Sequence, residues 1–571
     1  VRIVKRVVSF LLALLFVSFS PSLALGETVL QLVPDTSAGF IRVKSLRGLS
    51  DDLKGLIAEM NPTGEEPNED PLAVLLRGAF GGKYQSVSDL EKLGFDVKGD
   101  FAVVFSTSDL KSFFVLIGVS DRAKLEASLA ALIPNPQPEV YSGAKYFKFG
   151  DGYYTILRGI FVFSKDLDSL VTAIDLYRHK SKPIQGDPEF RSLSLSLESD
   201  VTAFVNVSEV MGIYGMFIEQ FPRQIEQSGG PDYLNSMLRA QGKIASDMMG
   251  QIHLLGMNVE IDGVEIRIDG VAKFKPDSRL ANLSGGKIVS LDRFSKLPPY
   301  RICGVGDLKG IFTYLQDEVA DELQMDEKVK EALKDFQDGV GDVVSFAVNL
   351  SGATTGALSD TVLVYEITDA ERVNGFLEAL PEIINLSNAA PFGPRRPFEV
   401  ESVEPGEVEV YSGVEIKSLV VKFRRSDEGE TQQSPPIPER MKIRYAIKDD
   451  ELLYSESLNS NPIRDLLDAM EGGGSAADVE GFYEATAQVL PDPTTVILIS
   501  PMGLVKEVFR SLSKTEQGLA AIYMLIQNAP EGYGMTISKS RGSEKGITRG
   551  RMTLSLEGVR QIFAISSGMR Q

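Results

Sequence analysis

The sequence predicts an α+β fold made of two tandem copies of one unit. Each unit carries antiparallel β-hairpins and sheet, with helices packed on one side. Three observations lead there. A strand-then-helix phrase occurs four times, as FIRVKSLRGL (40–49), FVNVSEVMGI (204–213), ICGVGDLKGI (302–311) and, with one position dropped, VILISPMGLV (496–505). The segments between these phrases recur in the same order in both halves. Strands also follow one another through short turns, which favours antiparallel pairing over a doubly wound parallel sheet. The boundaries read as residues 1–26 for a signal peptide, 27–287 for the first unit and 288–571 for the second.

Each phrase is a short apolar strand followed by a helix start. Ser45 and Asp307 are natural N-caps, and Pro501 suits a first helical turn. A glycine one turn into the helix, Gly48, Gly212 or Gly310, lets it lie close on its neighbour. Downstream, SFFVLIGVSDRAKLEASLAAL (112–132) matches TVLVYEITDAERVNGFLEAL (361–380). In both, a strand runs into an Asp N-cap, Asp121 or Asp369, and then a helix with apolar residues at three- and four-residue spacing. VYSG occurs at 140–143 and again at 410–413, each time opening a run of strands. Hairpin signals stand at Asp151-Gly152 and Asp262-Gly263. Amphipathic helices around Leu170 and Leu466 follow. Loops are expected at residues 61–71, 388–398, 425–439 and 471–478.

The first 26 residues read as a targeting segment. Arg2, Lys5 and Arg6 precede the apolar run VVSFLLALLFVSF, and Ala24-Leu25-Gly26 has the small-x-small cleavage pattern. The expectation is export to a periplasmic or extracellular location; an uncleaved N-terminal anchor is the alternative. No other stretch approaches a membrane-spanning length. The chain has 59 basic and 79 acidic residues, a formal net charge of −20. Such a surface repels nucleic acid and anionic headgroups. Cys303 is the sole cysteine, so stability must come from core burial and not from a disulfide.

Openings such as VPDTSAGFIRV, followed by KGDFAVVF, FFVLIGVSDRAKLEASL and DVTAFVNVSEV, resemble a family of exported bacterial proteins that carry a duplicated domain of unknown function. The resemblance spans nearly all of the chain after the signal segment. It implies export and a duplicated α+β architecture, and brings no catalytic or binding residues.

The residues themselves supply little recognisable chemistry. GVGDLKG (304–310) imitates a dinucleotide cradle, but the aligned phrases replace Gly304 by Arg42 and Asn206, and Gly306 by Lys44 and Ser208. Those two glycines therefore read as incidental, and Cys303, aligned with Ile41 and Val205, as a small core residue. His179, in YRHKSK (177–182), ends a helix, where cations suit the dipole; His253 leads into a strand. Two isolated histidines and one cysteine give no zinc spacing. The acidic run at 64–71 lacks calcium-loop spacing, GGGSAAD (472–478) is no nucleophile elbow, and Arg395-Arg396 reads as an exposed loop. No catalytic, metal or cofactor residue is assigned, and no cofactor is expected. The expected role is non-enzymatic, binding an unidentified protein or envelope component or acting structurally. The alternatives are an Asp/Glu hydrolase in a cleft between the repeats and a carrier for an apolar ligand.

Overall fold

The computed structural model describes residues 29–60, 69–73, 85–106, 112–132, 138–211, 232–322, 326–349, 360–386, 398–425, 439–458, 460–512, 523–524, 526–529, 531–557 and 560. Residues 1–26, Gly212 and Arg395-Arg396 lie outside them.

The first half contributes β1 (Gly39–Val43), β2 (Phe101–Phe105), β3 (Phe113–Gly118), β4 (Pro138–Tyr141), β5 (Ala144–Phe149), β6 (Gly152–Leu157), β7 (Ile160–Ser164), β8 (Val201–Asn206), β9 (Ile252–Asp262) and β10 (Glu265–Phe274). The second half contributes β11 (Ile302–Asp307), β12 (Val340–Asn349), β13 (Asp360–Ile367), β14 (Phe398–Pro405), β15 (Glu409–Tyr411), β16 (Val414–Arg425), β17 (Arg440–Lys448), β18 (Glu451–Ser457), β19 (Pro493–Ile499), β20 (Met535–Arg541) and β21 (Ile547–Ser555). All pairings among these strands are antiparallel, and together they form one sheet.

The order of that sheet is a palindrome about its middle. Outward from β10 run β9, β8, β1, β2, β3, β7, β6, β5 and β4. Outward from β21 run β20, β19, β11, β12, β13, β18, β17 and β16, with β14 and β15 in succession along β16. The halves meet where β10 pairs β21, placing Ile268 opposite Met552 and Gly270 opposite Gly550. Arg551 grips Asp269 across this seam with two hydrogen bonds, of 2.5 and 3.2 Å.

The α+β class holds, but helices cover both faces of the sheet, not one. In the first half, helices Leu46–Met60 and Arg122–Leu132 bury Leu53 and Leu125 in a core with Ile117, Phe161 and Val259. On the opposite face, helix Leu167–Tyr177 and the turn Val29–Leu32 bury Leu170, Ile174 and Leu30 against Phe40, Leu116 and Val162. Adjacent strand residues such as Leu116 and Ile117 point to opposite faces, so each half needs two covers. The second half is built likewise: helices Glu327–Gly339 and Ala370–Leu386 cover one face, and Pro462–Met470 the other. Amphipathic spacing tells that a helix packs but not on which face. Among the described residues, no helix is long and apolar enough to cross a membrane.

Caps and turns follow local chemistry. The amide of Gly48 donates to Ser45 Oγ at 2.9 Å, that of Lys124 to Asp121 Oδ1 at 3.0 Å, and those of Glu371 and Arg372 to Asp369 Oδ1 at 3.1 and 3.2 Å. Gly310 lies against Leu283, whose Cδ2 would be 2.6 Å from an added Cβ. Asp307 is not the cap that its position suggests, because its Oδ2 instead accepts from the amide of Lys287 at 2.5 Å. The two Asp-Gly signals also shift by one residue. The turns are Gly150-Asp151 and Gly263-Val264, with the glycine in the first, left-handed place (φ 59° and 55°), as a type II′ hairpin requires. In contrast, Ser142-Gly143 and Ser412-Gly413 are left-handed at both positions. Residues 471–478 are less exposed than a loop reading implies, since Ala476 is fully buried.

Candidate functional site

The residues singled out in the sequence are structural where they are described. Strand β11, holding Gly304 and Gly306, is hydrogen-bonded on both sides, to β12 and β19, so its backbone cannot cradle a phosphate. Both glycines are required by close approach, which corrects their reading as incidental. The Phe346 ring lies over Gly304, where an added Cβ would collide with it, and Thr495 Cγ2 would be 2.9 Å from a Cβ on Gly306.

Cys303 is completely buried. Its Sγ lies 3.5 Å from the carbonyl oxygens of Pro298 and Tyr300 and accepts a 3.2 Å hydrogen bond from the Tyr533 hydroxyl. Burial pushes the thiol up to about 12, outweighing the hydrogen bonds that favour thiolate. The reactive thiolate is therefore absent from the folded protein at neutral pH. Iodoacetamide at pH 8 is expected to leave native Cys303 unmodified and to alkylate it in 6 M guanidinium, as read by intact mass. Rapid alkylation of the native protein would contradict this burial. His253 Nδ1 sits 3.0 Å from Ser208 Oγ, and its Nε2 lies 3.7 Å from Glu189. Among the described residues, no group of three or more His, Cys, Asp or Glu side chains is placed to hold a metal.

A cleft of about 340 Å³ opens in the first half, bounded by the turn Val29–Leu32, the 96–100 turn, the β6–β7 turn and the end of helix Leu167–Tyr177. It lies wholly within the first half of the chain. Leu32, Leu157, Ile160 and Leu176 supply apolar wall; Asp96, Asp100, Arg158 and His179 supply charge and hydrogen-bonding capacity. That mixture, at that volume, suits a small ligand.

The polar groups of the cleft fall into two kinds. Asp96 and Asp100 are engaged by the fold. Asp96 Oδ1 accepts from the amides of Lys98 and Gly99, both at 3.1 Å. Asp100 Oδ1 is 2.5 Å from Arg42 Nη2, whose side chain is only 4% exposed and also donates to Leu197 O at 2.8 Å. Arg158 and His179 stand differently: among the described residues neither side chain has an ion pair or hydrogen bond. The Arg158 guanidinium lies over the Tyr177 ring at 5.5 Å, and Arg178 lies 5.1 Å from the same ring, contacts that orient a cation without neutralising it. Sequence reading missed Arg158 altogether and explained His179 by the helix dipole.

No family model matches the chain, and no curated protein matches it. Solved structures titled as crystal forms of TP0453 are similar to parts of it at low level. Crystal form IV shares 9% identity at a TM-score of 0.24, covering 47% of this chain and 85% of that one. Crystal form I shares 10% at 0.23, covering 62% and 98%.

Proposed function

We propose that the protein is an exported, non-enzymatic envelope protein, built from two tandem copies of one unit, that acts by binding a small ligand in the first-half cleft. The cleft carries this reading: it joins apolar wall to Arg158 and His179, whose side chains have no ion pair or hydrogen bond among the described residues. Its lining contains no Ser, Thr, Cys or Lys, and both of its carboxylates serve the fold. The matching strand order of the halves supports the duplicated unit. The resemblance to exported bacterial proteins supports the location.

Thermal unfolding across a panel of small polar and amphiphilic metabolites tests the proposal. A ligand at a hundred times its Kd stabilises by about 2.7 kcal/mol, readily seen as a rise in Tm. The rise is expected for the natural protein and not for Ile160→Trp, which fills the cleft. No shift with any panel member, or turnover of one, would sink the proposal.

A further inference from the structure

We infer that the cleft is built for an organic anion, a carboxylate or phosphate on a small apolar body, received by Arg158 and His179. This rests on reading the cleft as a binding site, and it names what is bound.

The argument comes from comparing the two halves. Arg158 and His179 both have left-handed backbone, with φ of 45° and 56°, a conformation that glycine adopts without cost and that Asn, Asp and His tolerate better than Arg. Each has a counterpart in the second half with the same geometry and a more suitable residue. In the first half Arg158-Gly159 joins β6 to β7, and Val119 N donates to Gly159 O at 2.8 Å. In the second, Asp449-Asp450 joins β17 to β18, and Ile367 N donates to Asp450 O at 2.7 Å. Asp449, at φ 49°, stands where Arg158 does.

The helix ends correspond just as closely. The amides of Arg178, His179 and Lys180 donate to Ile174, Leu176 and Asp175, each at 2.9 Å. Those of Glu471, Gly472 and Gly473 donate to Leu467, Ala469 and Asp468 at 3.0, 3.2 and 2.7 Å. Gly472, at φ 89°, stands where His179 does, and glycine is the usual residue at that place.

Two residues less suited to their backbone than their counterparts thus line one cleft, and among the described residues neither side chain has an ion pair or hydrogen bond. Strain gathered at one site in this way marks function. A guanidinium and an imidazole converge naturally on an anionic oxygen. The carboxylates that would compete for them are held by Arg42 and by the Lys98 and Gly99 amides. Leu157, Ile160 and Leu176 offer the wall for the apolar body. With Asp449 and Gly472 in its place, the second half has no such pair, so one ligand binds per chain.

Isothermal titration calorimetry with octanoate, octyl phosphate, inorganic phosphate and octylamine tests this on the full mature chain. Octanoate and octyl phosphate separate carboxylate from phosphate recognition; binding of either, at one site per chain, is expected. Arg158→Asp and His179→Gly install the second half's residues, so each should keep or raise Tm while weakening anion binding at least tenfold. Variants that bind the anion as the natural protein does would overturn the assignment. Octylamine binding as tightly as either anion would overturn the anion class while leaving the cleft a binding site. If inorganic phosphate bound as well as octyl phosphate, the apolar body would be overturned. Failure of all four probes would overturn the inference, and a metabolite-panel shift lost in Ile160→Trp would then show that the cleft still binds something else.

Discussion

Arg42→Met is expected to destabilise the protein by about 3 kcal/mol, the lower end of what is lost when one partner of a buried ion pair is removed. Arg42 lies on β1 with its side chain 4% exposed, and Asp100, 15% exposed, loses this cationic partner. The carboxylate would stay on the cleft floor without compensation. Arg42→Met/Asp100→Leu removes both charges and should recover most of the loss, because the penalty is that of the stranded charge. Urea denaturation with an unchanged m-value would measure both. The neighbouring pair Lys44–Glu198, 2.8 Å apart but 45% and 62% exposed, is the control. Lys44→Met should cost under about 1 kcal/mol. Equal losses at Arg42 and Lys44 would contradict the argument.

Phe40→Ala should cost about 3–5 kcal/mol, as other large-to-small changes at filled core positions do. Phe40 is wholly buried on the face of β1 opposite Ile41. Its ring meets Phe190 and Phe204, each at 5.8 Å between centroids, and those two meet edge-on at 5.3 Å. The triad joins β1, β8 and the helix Pro188–Ser192, so the hole would open where three elements converge. Phe40→Leu should cost clearly less. If both variants lost the same amount, loss of volume would not be the cause.

Much of the fold was legible because its signals are local. The four strand-helix phrases, the Asp121 and Asp369 caps and the VYSG hairpins rest on residues within a few positions of one another. The second cover of each half of the sheet was not legible. The spacing around Leu170 gives an apolar stripe, yet only the pairing of β1, β2, β3 and β7 decides which face receives it. The cleft was hidden for another reason. Arg158 and His179 come from separate turns, and neither residue type announces a left-handed backbone. One signal lay in comparing the two halves: placing YRHK (177–180) beside MEGG (470–473) sets His179 against Gly472, a difference that a charge at a helix end does not explain.

The palindromic order also governs assembly in time. Strands β1 to β10 find all their partners within residues 39–274, except that one edge of β10 waits for β21, at residues 547–555. Closure of the seam is therefore the most non-local step in the sheet, the kind of pairing that slows folding. A chain emerging from its N-terminus can complete its first half while the whole length of β10 remains an open edge. Until the last strand arrives, that edge is as ready to accept β10 or β21 of a neighbouring chain. The Asp269–Arg551 clasp closes this window, favouring the intramolecular partner once it is within reach.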